Sequence, residues 1–172
     1  PTGIPLMTHI AVIDYGAGNL HSVCKALAHV APEARITLAQ TAAQIAQADR
    51  ILLPGQGAMR GCMDNLRTHD LIDALHSAAK NKPFLGICIG PQLMSARSEE
   101  NGGVDGLGFF PCRTIRFADA PGRKIPHMGW NTLAQTVSHP LWANIPDHSH
   151  FYYVHSYHLT PSAYTIGETP YG

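Results

Sequence analysis

The 172-residue sequence sets twelve Lys and Arg against twelve Asp and Glu, a formal net charge of zero. With no basic block or tail, neither nucleic acid nor an anionic membrane surface has electrostatic support as a partner. No apolar run reaches membrane-spanning length and no signal-peptide pattern stands out, so the expectation is one cytoplasmic domain with a real core.

Residues 1–6 differ in texture from the rest of the chain. They read as a remnant or a disordered N-terminus ahead of a natural start at Met7, leaving 7–172 as the domain. His9 to Asp14 is a near-continuous β-rich run, as expected of a central parallel strand. The turn Tyr15-Gly16-Ala17-Gly18-Asn19 follows. Leu20 to Val30 then reads as a helix, with Leu20, Val23, Cys24, Leu27 and Val30 at helical spacing. Arg35 to Leu38 is a second strand, and Thr41 caps a helix through Ala48. Arg50 to Leu53 is a third strand and runs into Pro54-Gly55-Gln56-Gly57-Ala58. A helical stretch follows to about Lys80, with a break near Thr68-His69-Asp70. Its apolar face (Met59, Cys62, Met63, Leu66, Leu71, Ile72, Leu75) reads as core, not as a cofactor stripe.

Phe84 to Ile87 reads as a short buried strand, and Cys88 follows at once. Gly86 lies two residues before the cysteine and Gly90 two after, with helical residues from about Gln92. This is the G-x-nucleophile-x-G form of a nucleophile elbow. Such a turn presents the thiol beyond the sheet, brings the next backbone N–H beside it, and places it at a helix N-terminus, which favours a thiolate. The bland alternative is a buried cysteine at a glycine-containing strand end.

Alternating strands and helices predict an α/β domain with a mainly parallel sheet. Gly16/Gly18, Gly55/Gly57 and Gly86/Gly90 all fall at carboxyl ends of strands, the edge where open α/β sheets bind ligands. After Ser95, glycines mark loops. Phe109 to Phe117, Asn131 to Val137, Phe151 to Leu159 and Tyr164 to Glu168 read as β segments, with Pro126 to Trp130 as a connection and a short helical turn over 139–145. The second half is thus expected to be β-rich and antiparallel. Cys24, Cys62, Cys88 and Cys112 form no C-x-x-C pair, which predicts reduced thiols. The eleven histidines are scattered, so no metal site and no cofactor is expected.

Acyl transfer at Cys88 needs a base, an oxyanion hole and a pocket. The Ile89 N–H is one oxyanion donor by position. The Gly55-Gln56-Gly57 turn is the natural second wall, although it also reads as an ordinary strand-to-helix connection.

Five segments occur in order: Asp14-Tyr15-Gly16-Ala17-Gly18-Asn19-Leu20, Pro54-Gly55-Gln56-Gly57-Ala58, Gly86-Ile87-Cys88-Ile89-Gly90-Pro91-Gln92, Pro126-His127-Met128-Gly129-Trp130-Asn131 and Val154-His155-Ser156-Tyr157. Together they resemble the glutaminase subunits of imidazole glycerol phosphate synthase, class I (triad) glutamine amidotransferases of histidine biosynthesis. The resemblance implies a three-layer, flavodoxin-like α/β fold with helices on both faces of the sheet. It implies that Cys88 attacks the glutamine amide and releases ammonia, with the Ile89 and Gln56 N–H groups as oxyanion hole, Gln56 lying between Gly55 and Gly57 on a turn whose peptide is expected to flip before it is competent. Gln92, Glu100, His155, Ser156 and Tyr157 match glutamine contacts. Asn19, Pro126, His127, Met128, Trp130 and Asn131 match the surface that meets a TIM-barrel cyclase subunit. That partner uses the ammonia to form imidazole glycerol phosphate and the purine intermediate AICAR.

Other readings of these residues are kept beside the resemblance. Glu99 and Glu100 also read as a solvated charged patch, Asp14 as a turn cap and His155 as a packed strand residue. In the family the base lies in a later H-P-E segment, and no histidine in this sequence is followed two residues later by glutamate. The triad His and Glu are therefore expected beyond Gly172. The domain is expected to be incomplete at its C-terminus, lacking the last strand, and inactive as it stands. A non-catalytic module is the alternative from another class. A pyridoxal-phosphate synthase glutaminase is the alternative enzyme, and Pro126 to Asn131 speaks against it. Pro91 stands where methionine is usual; it suits a first helical turn but is expected to push Gly90 out of helical geometry.

Overall fold

The computed structural model describes residues 7–171. The expectation for residues 1–6 lies outside the described residues. Gly172 lies outside them as well. The first half runs β1 (His9–Ile13), α1 (Leu20–Val30), β2 (Arg35–Ala39), α2 (Ala42–Gln47), β3 (Arg50–Leu53), α3 (Met59–Thr68), α4 (Ile72–Asn81), β4 (Phe84–Gly86) and α5 (Ile89–Met94). The four strands form one parallel sheet in the order β2-β1-β3-β4. Central β1 is covered on both faces, with Ala11, Val12 and Ile13 fully buried, which accounts for its unbroken apolar run. From β1 the chain steps to one side for β2 and to the other for β3. That reversal opens a crevice outside the carboxyl ends of β1 and β3.

Local sequence explains the helices. Thr41 and Gln44 form a reciprocal capping box at the start of α2. At the other end of α2 the Lys82 ammonium donates to the carbonyls of Ile45 (3.0 Å), Ala46 (2.7 Å) and Ala48 (2.6 Å), gathering the carbonyls of the helix C-terminus, of which Ile45 also accepts the Ala48 N–H. The helical stretch after β3 breaks at His69-Asp70-Leu71, where Asp70 adopts φ +55°. Met59, Cys62, Met63 and Leu66 from α3 and Leu75 from α4 join the core beneath the sheet. Two expectations are corrected. The apolar stripe of α1 is only half covered, with no residue fully buried and Val30 74% exposed. Among the described residues β4 is an edge strand, not a buried one: it pairs with β3 alone, and Leu85 and Ile87 are 42% and 41% exposed.

The second half holds β5 (Ser95–Ser98), β6 (Val104–Asp105), β7 (Phe110–Arg116), β8 (His127–Thr132), β9 (Ala134–Gln135), β10 (His150–His155), β11 (Tyr157–Leu159) and β12 (Gly167–Glu168). They form three small sheets, β11-β7-β5-β6, β10-β8 and β12-β9. The first is mixed, since β5 runs parallel to β7, so the purely antiparallel expectation does not hold. Ser95–Ser98, read as the start of a loop region, is a strand. Pro126 to Trp130, read as a connection, is mostly strand: β8 takes in all of it but Pro126. The expected strand 151–159 divides at Ser156: its first part pairs with β8 and its second with β7. Long-range pairing decided these cases, and it leaves little local signature.

A directed hydrogen-bond chain joins two of these sheets. Asn131 is oriented by backbone: its Nδ2 donates to the Pro170 carbonyl and its Oδ1 accepts from the Thr132 N–H, each at 2.8 Å. The same Nδ2 lies 3.4 Å from His127 Nε2, which therefore accepts. His127 Nδ1 then donates to His155 Nε2 (3.0 Å), and His155 Nδ1 donates to the Tyr157 carbonyl (2.9 Å). Both ends dictate one direction, so both imidazoles are neutral and protonated at Nδ1. Burial pushes both pKa values down, helped at His127 by neighbouring His155 and at His155 by His158.

These contacts make two predictions about stability. Lys82→Met keeps the aliphatic stem but removes three charge-assisted bonds at a helix C-terminus; a loss of about 2 kcal/mol is expected from urea unfolding. The imidazole pair has folded-state pKa values below the ordinary ~6.5, so its contribution is complete above that pH and is lost as pH falls through the depressed values. The urea midpoint is expected to drop between about pH 7.5 and about pH 5, and to drop less in His127→Phe, which removes one titrating member.

Candidate active site

The backbone at Cys88 has φ +60° and ψ −109°, a conformation that costs a non-glycine residue about 1–3 kcal/mol. The surroundings leave it no alternative. β4 ends at Gly86 and α5 starts at Ile89, so two residues must reverse the chain. The Ile87 N–H donates to the Leu53 carbonyl (3.0 Å), and the Gly90 N–H to the Ile87 carbonyl (2.9 Å). A side chain on Gly90 would run into the Leu53 carbonyl, and one on Gly86 would lie 2.8 Å from Pro91 N. Both flanking glycines are thus required by close backbone approach, as the elbow pattern predicts. Cys88 itself is exposed at the tip, and its thiol has no hydrogen-bond partner among the described residues. Gly90 is the second residue of α5, contrary to the expectation set by Pro91. The clash that a proline imposes on its predecessor falls largely on Cβ, which glycine lacks. Pro91 is the third residue of α5, where its missing N–H leaves no bond unmade.

The three glycine turns meet. A side chain on Gly55 would collide with both Ile89 and the Tyr15 hydroxyl, and one on Gly18 would lie 3.1 Å from Gly55 Cα. The turn after β3 therefore abuts the residue that follows Cys88, and the turn after β1 backs it. Gln56 is exposed, and Gly57 takes φ +90°. Two buried side chains hold this turn from beneath. The Tyr15 hydroxyl donates to the Pro54 carbonyl (2.8 Å), and the Cys62 thiol donates to the Gln56 carbonyl (3.4 Å). Burial pushes the Tyr15 hydroxyl well above its ordinary pKa and raises that of the Cys62 thiol. Sequence reading placed Tyr15 merely in a turn and Cys62 merely in the core; no periodicity marks either as a neighbour of the elbow.

The remaining candidates sort by the partners they keep. Gln92 on α5 donates to the Tyr157 carbonyl at 3.4 Å, so the helix after Cys88 touches the start of β11. Ser156 is the residue between β10 and β11, and its carbonyl accepts from Phe117 N–H. Both His155 nitrogens are committed, to His127 and to Tyr157, which leaves none for Cys88. The acidic pair is not a solvated patch. Glu100 accepts the Met59 N–H (2.9 Å), capping α3 from a distance, and Glu99 accepts the Arg116 N–H (2.6 Å). Asp14 accepts the Gly16 N–H, as a turn cap does, and Gln40 Nε2 as well. Asn19 caps α1 through the Ser22 N–H.

The β8–β10 ribbon has two distinct faces. His127 and Asn131 face the hydrogen-bond chain, while Met128 and Trp130 are 62% and 70% exposed. Opposite them Val154 and Tyr152 are also exposed, and the Trp130 and Tyr152 rings meet edge to face at 5.6 Å. The last two were missed, although their alternation with Tyr153 and His155 is a period-2 signal. Behind His127 and His155 lies an open cavity of about 740 Å³; neither Cys88 nor Gln56 lines it. Among the described residues no cluster of His, Cys, Asp and Glu could hold a metal ion, and no helix is long and apolar enough to cross a membrane.

Comparisons with known proteins agree with this geometry. The model of the class I glutamine amidotransferase family matches residues 11–168. The chain is 47% identical to an imidazole glycerol phosphate synthase subunit HisH of Aromatoleum aromaticum, over 96% of this chain and 82% of the relative. It is 50% identical to the subunit of that name from Nitrosospira multiformis, over 96% of this chain and 81% of the relative. Among solved structures, a putative GMP synthase protein from Thermoplasma acidophilum superposes with a TM-score of 0.67 at 19% identity, covering 95% of this chain and 73% of that one. At that identity the likeness speaks for the fold alone. The chain belongs to the class I glutamine amidotransferase family, and within it to the HisH subunits of imidazole glycerol phosphate synthase.

Proposed function

We propose that Cys88 performs the glutaminase reaction of this chain and that the ammonia passes to a cyclase partner. One observation carries the reading: the strained Cys88 backbone sets its thiol at the carboxyl edge of the sheet, next to the one turn that abuts Ile89. The thiolate attacks the side-chain amide carbon of L-glutamine, and the carbonyl π electrons move to oxygen. The Ile89 and Gln56 N–H groups stabilise that oxyanion. Collapse expels ammonia once the amide nitrogen has taken a proton, leaving a thioester that water hydrolyses to glutamate. His155 is not the base, because neither of its nitrogens is free.

Gln92 and the Ser156–Tyr157 backbone form one wall of the glutamine pocket, joined by the Gln92–Tyr157 bond. Glu100 and His155 shape that pocket through the protein groups they already hold. Residues 7–172 act as one amidotransferase domain, its parallel sheet covered by helices on both faces. The cyclase subunit docks on the Met128/Trp130 face, to which Tyr152 and Val154 add apolar area; His127 and Asn131 support that ribbon from its inner face, and Asn19 and Pro126 meet the same partner. A cluster of exposed aromatic side chains is the composition of an interface centre. No nucleic acid, membrane or cofactor enters the scheme.

In the full-length chain paired with its cyclase subunit, Cys88→Ala is expected to abolish glutamine-dependent synthesis while ammonia-dependent synthesis continues. Retention of the glutamine-dependent reaction would remove Cys88 from its role. Trp130→Ala is expected to weaken binding of the cyclase by about 2 kcal/mol or more in titration calorimetry. The circular dichroism spectrum should not change, because the side chain is 70% exposed in the isolated chain.

A further inference from the structure

Tyr15 and Cys62 are buried, bonded to the turn that carries Gln56, and unused by the reaction above. A carbonyl oxygen only accepts, so both bonds have a fixed direction: O–H to the Pro54 oxygen and S–H to the Gln56 oxygen. Those carbonyls belong to the peptide planes on either side of the Gly55–Gln56 plane. The middle plane carries the Gln56 N–H, and among the described residues neither that N–H nor the Gly55 carbonyl has a hydrogen-bond partner. The two donors lie next to each other beneath the turn, Tyr15 from the end of β1 and Cys62 from the first turn of α3. Gly55 has no side chain to restrain its own ψ, so the orientation of the middle plane depends on how firmly its neighbours are held.

We propose that Tyr15 and Cys62 are positioning residues for the oxyanion turn, clamping the peptide planes before and after Gly55–Gln56 so that reorientation is confined to the middle plane and its N–H can be aimed at the developing oxyanion. The inference rests on the reading of Gln56 as an oxyanion donor. Its physical basis is that fixed neighbours leave the middle plane few orientations, so less reorganisation is needed when charge develops, and small misplacements in an active site are costly. Burial keeps both groups protonated at neutral pH, so both remain donors throughout the cycle. Neither touches substrate in this scheme. Their effect is confined to the step in which negative charge appears on oxygen.

The test uses the full-length chain with its cyclase partner and three variants. Tyr15→Phe removes only a hydroxyl, Cys62→Ala removes a donor, and Cys62→Ser replaces it with another. Glutamine hydrolysis is expected to lose roughly 10- to 100-fold in kcat in Tyr15→Phe and about 5- to 10-fold in Cys62→Ala, with KM within about twofold of wild type. Cys62→Ser should recover most of the loss. Alkylation of Cys88 by iodoacetamide, followed at its own peptide by mass spectrometry, should proceed at the wild-type rate in all three. Displacement of iodide generates no oxyanion, so that rate reports only the thiol and its exposure. Unchanged kcat in Tyr15→Phe and Cys62→Ala would overturn the proposal. So would a rise in KM alone, or alkylation that falls in step with kcat. The Cys62 pair decides the matter even where Tyr15→Phe fails to fold. Wild-type complex inert towards glutamine would overturn the function itself, and this inference with it.

Discussion

The carbonyl of Leu53 is the point around which this site is built. It ends β3, accepts the Ile87 N–H and lies against Gly90, so the strand carrying the cysteine and the helix following it both close on one oxygen. With both ends of the reversal tied to the same neighbour, Cys88 is left with a left-handed backbone that an unconstrained chain would avoid. The energy of that conformation comes from the buried sheet. Ile51, Leu52 and Leu53 are almost wholly buried, and β3 does not shift to relieve a single strained residue.

The same constraint propagates to the neighbouring turns. Because Gly90 is close to the end of β3, Ile89 lies over Gly55; because Gly55 lacks a side chain, Tyr15 reaches the Pro54 carbonyl beneath it. Cys88, the turn beside it and the buried donors under that turn therefore form one contiguous unit. Its parts come from three loops well separated along the chain, all at one end of a parallel sheet. The two buried donors of this unit, Tyr15 and Cys62, both meet backbone carbonyls, which the low local dielectric requires.

The second half extends this unit outward. Gln92 bonds the Tyr157 carbonyl, Tyr157 holds His155, His155 holds His127, and His127 meets Asn131 on the strand that presents Met128 and Trp130 to solvent. A continuous run of hydrogen bonds thus reaches from the helix after Cys88 to the exposed ribbon. Each imidazole in it gives one donor and one acceptor, so the chain has a single arrangement of protons.

Local sequence alone sufficed for the strand–helix alternation, the helix boundaries at Thr41 and near Thr68, the glycine turns at the carboxyl edge and the elbow at Cys88. These rest on hydrophobic period, capping chemistry and steric need for glycine, all of which act within a few residues. The family was legible too, because its motifs are short contiguous strings. Long-range packing settled the rest. It made β4 an edge strand among the described residues, split the run 151–159 between two sheets at Ser156, and turned His127 to Trp130 into strand. It committed Glu99, Glu100 and His155 to protein partners, and brought Tyr15 and Cys62 under the same turn. Each of those outcomes depends on a partner far away in the chain, and a residue's local pattern carries no record of which distant backbone group it will meet.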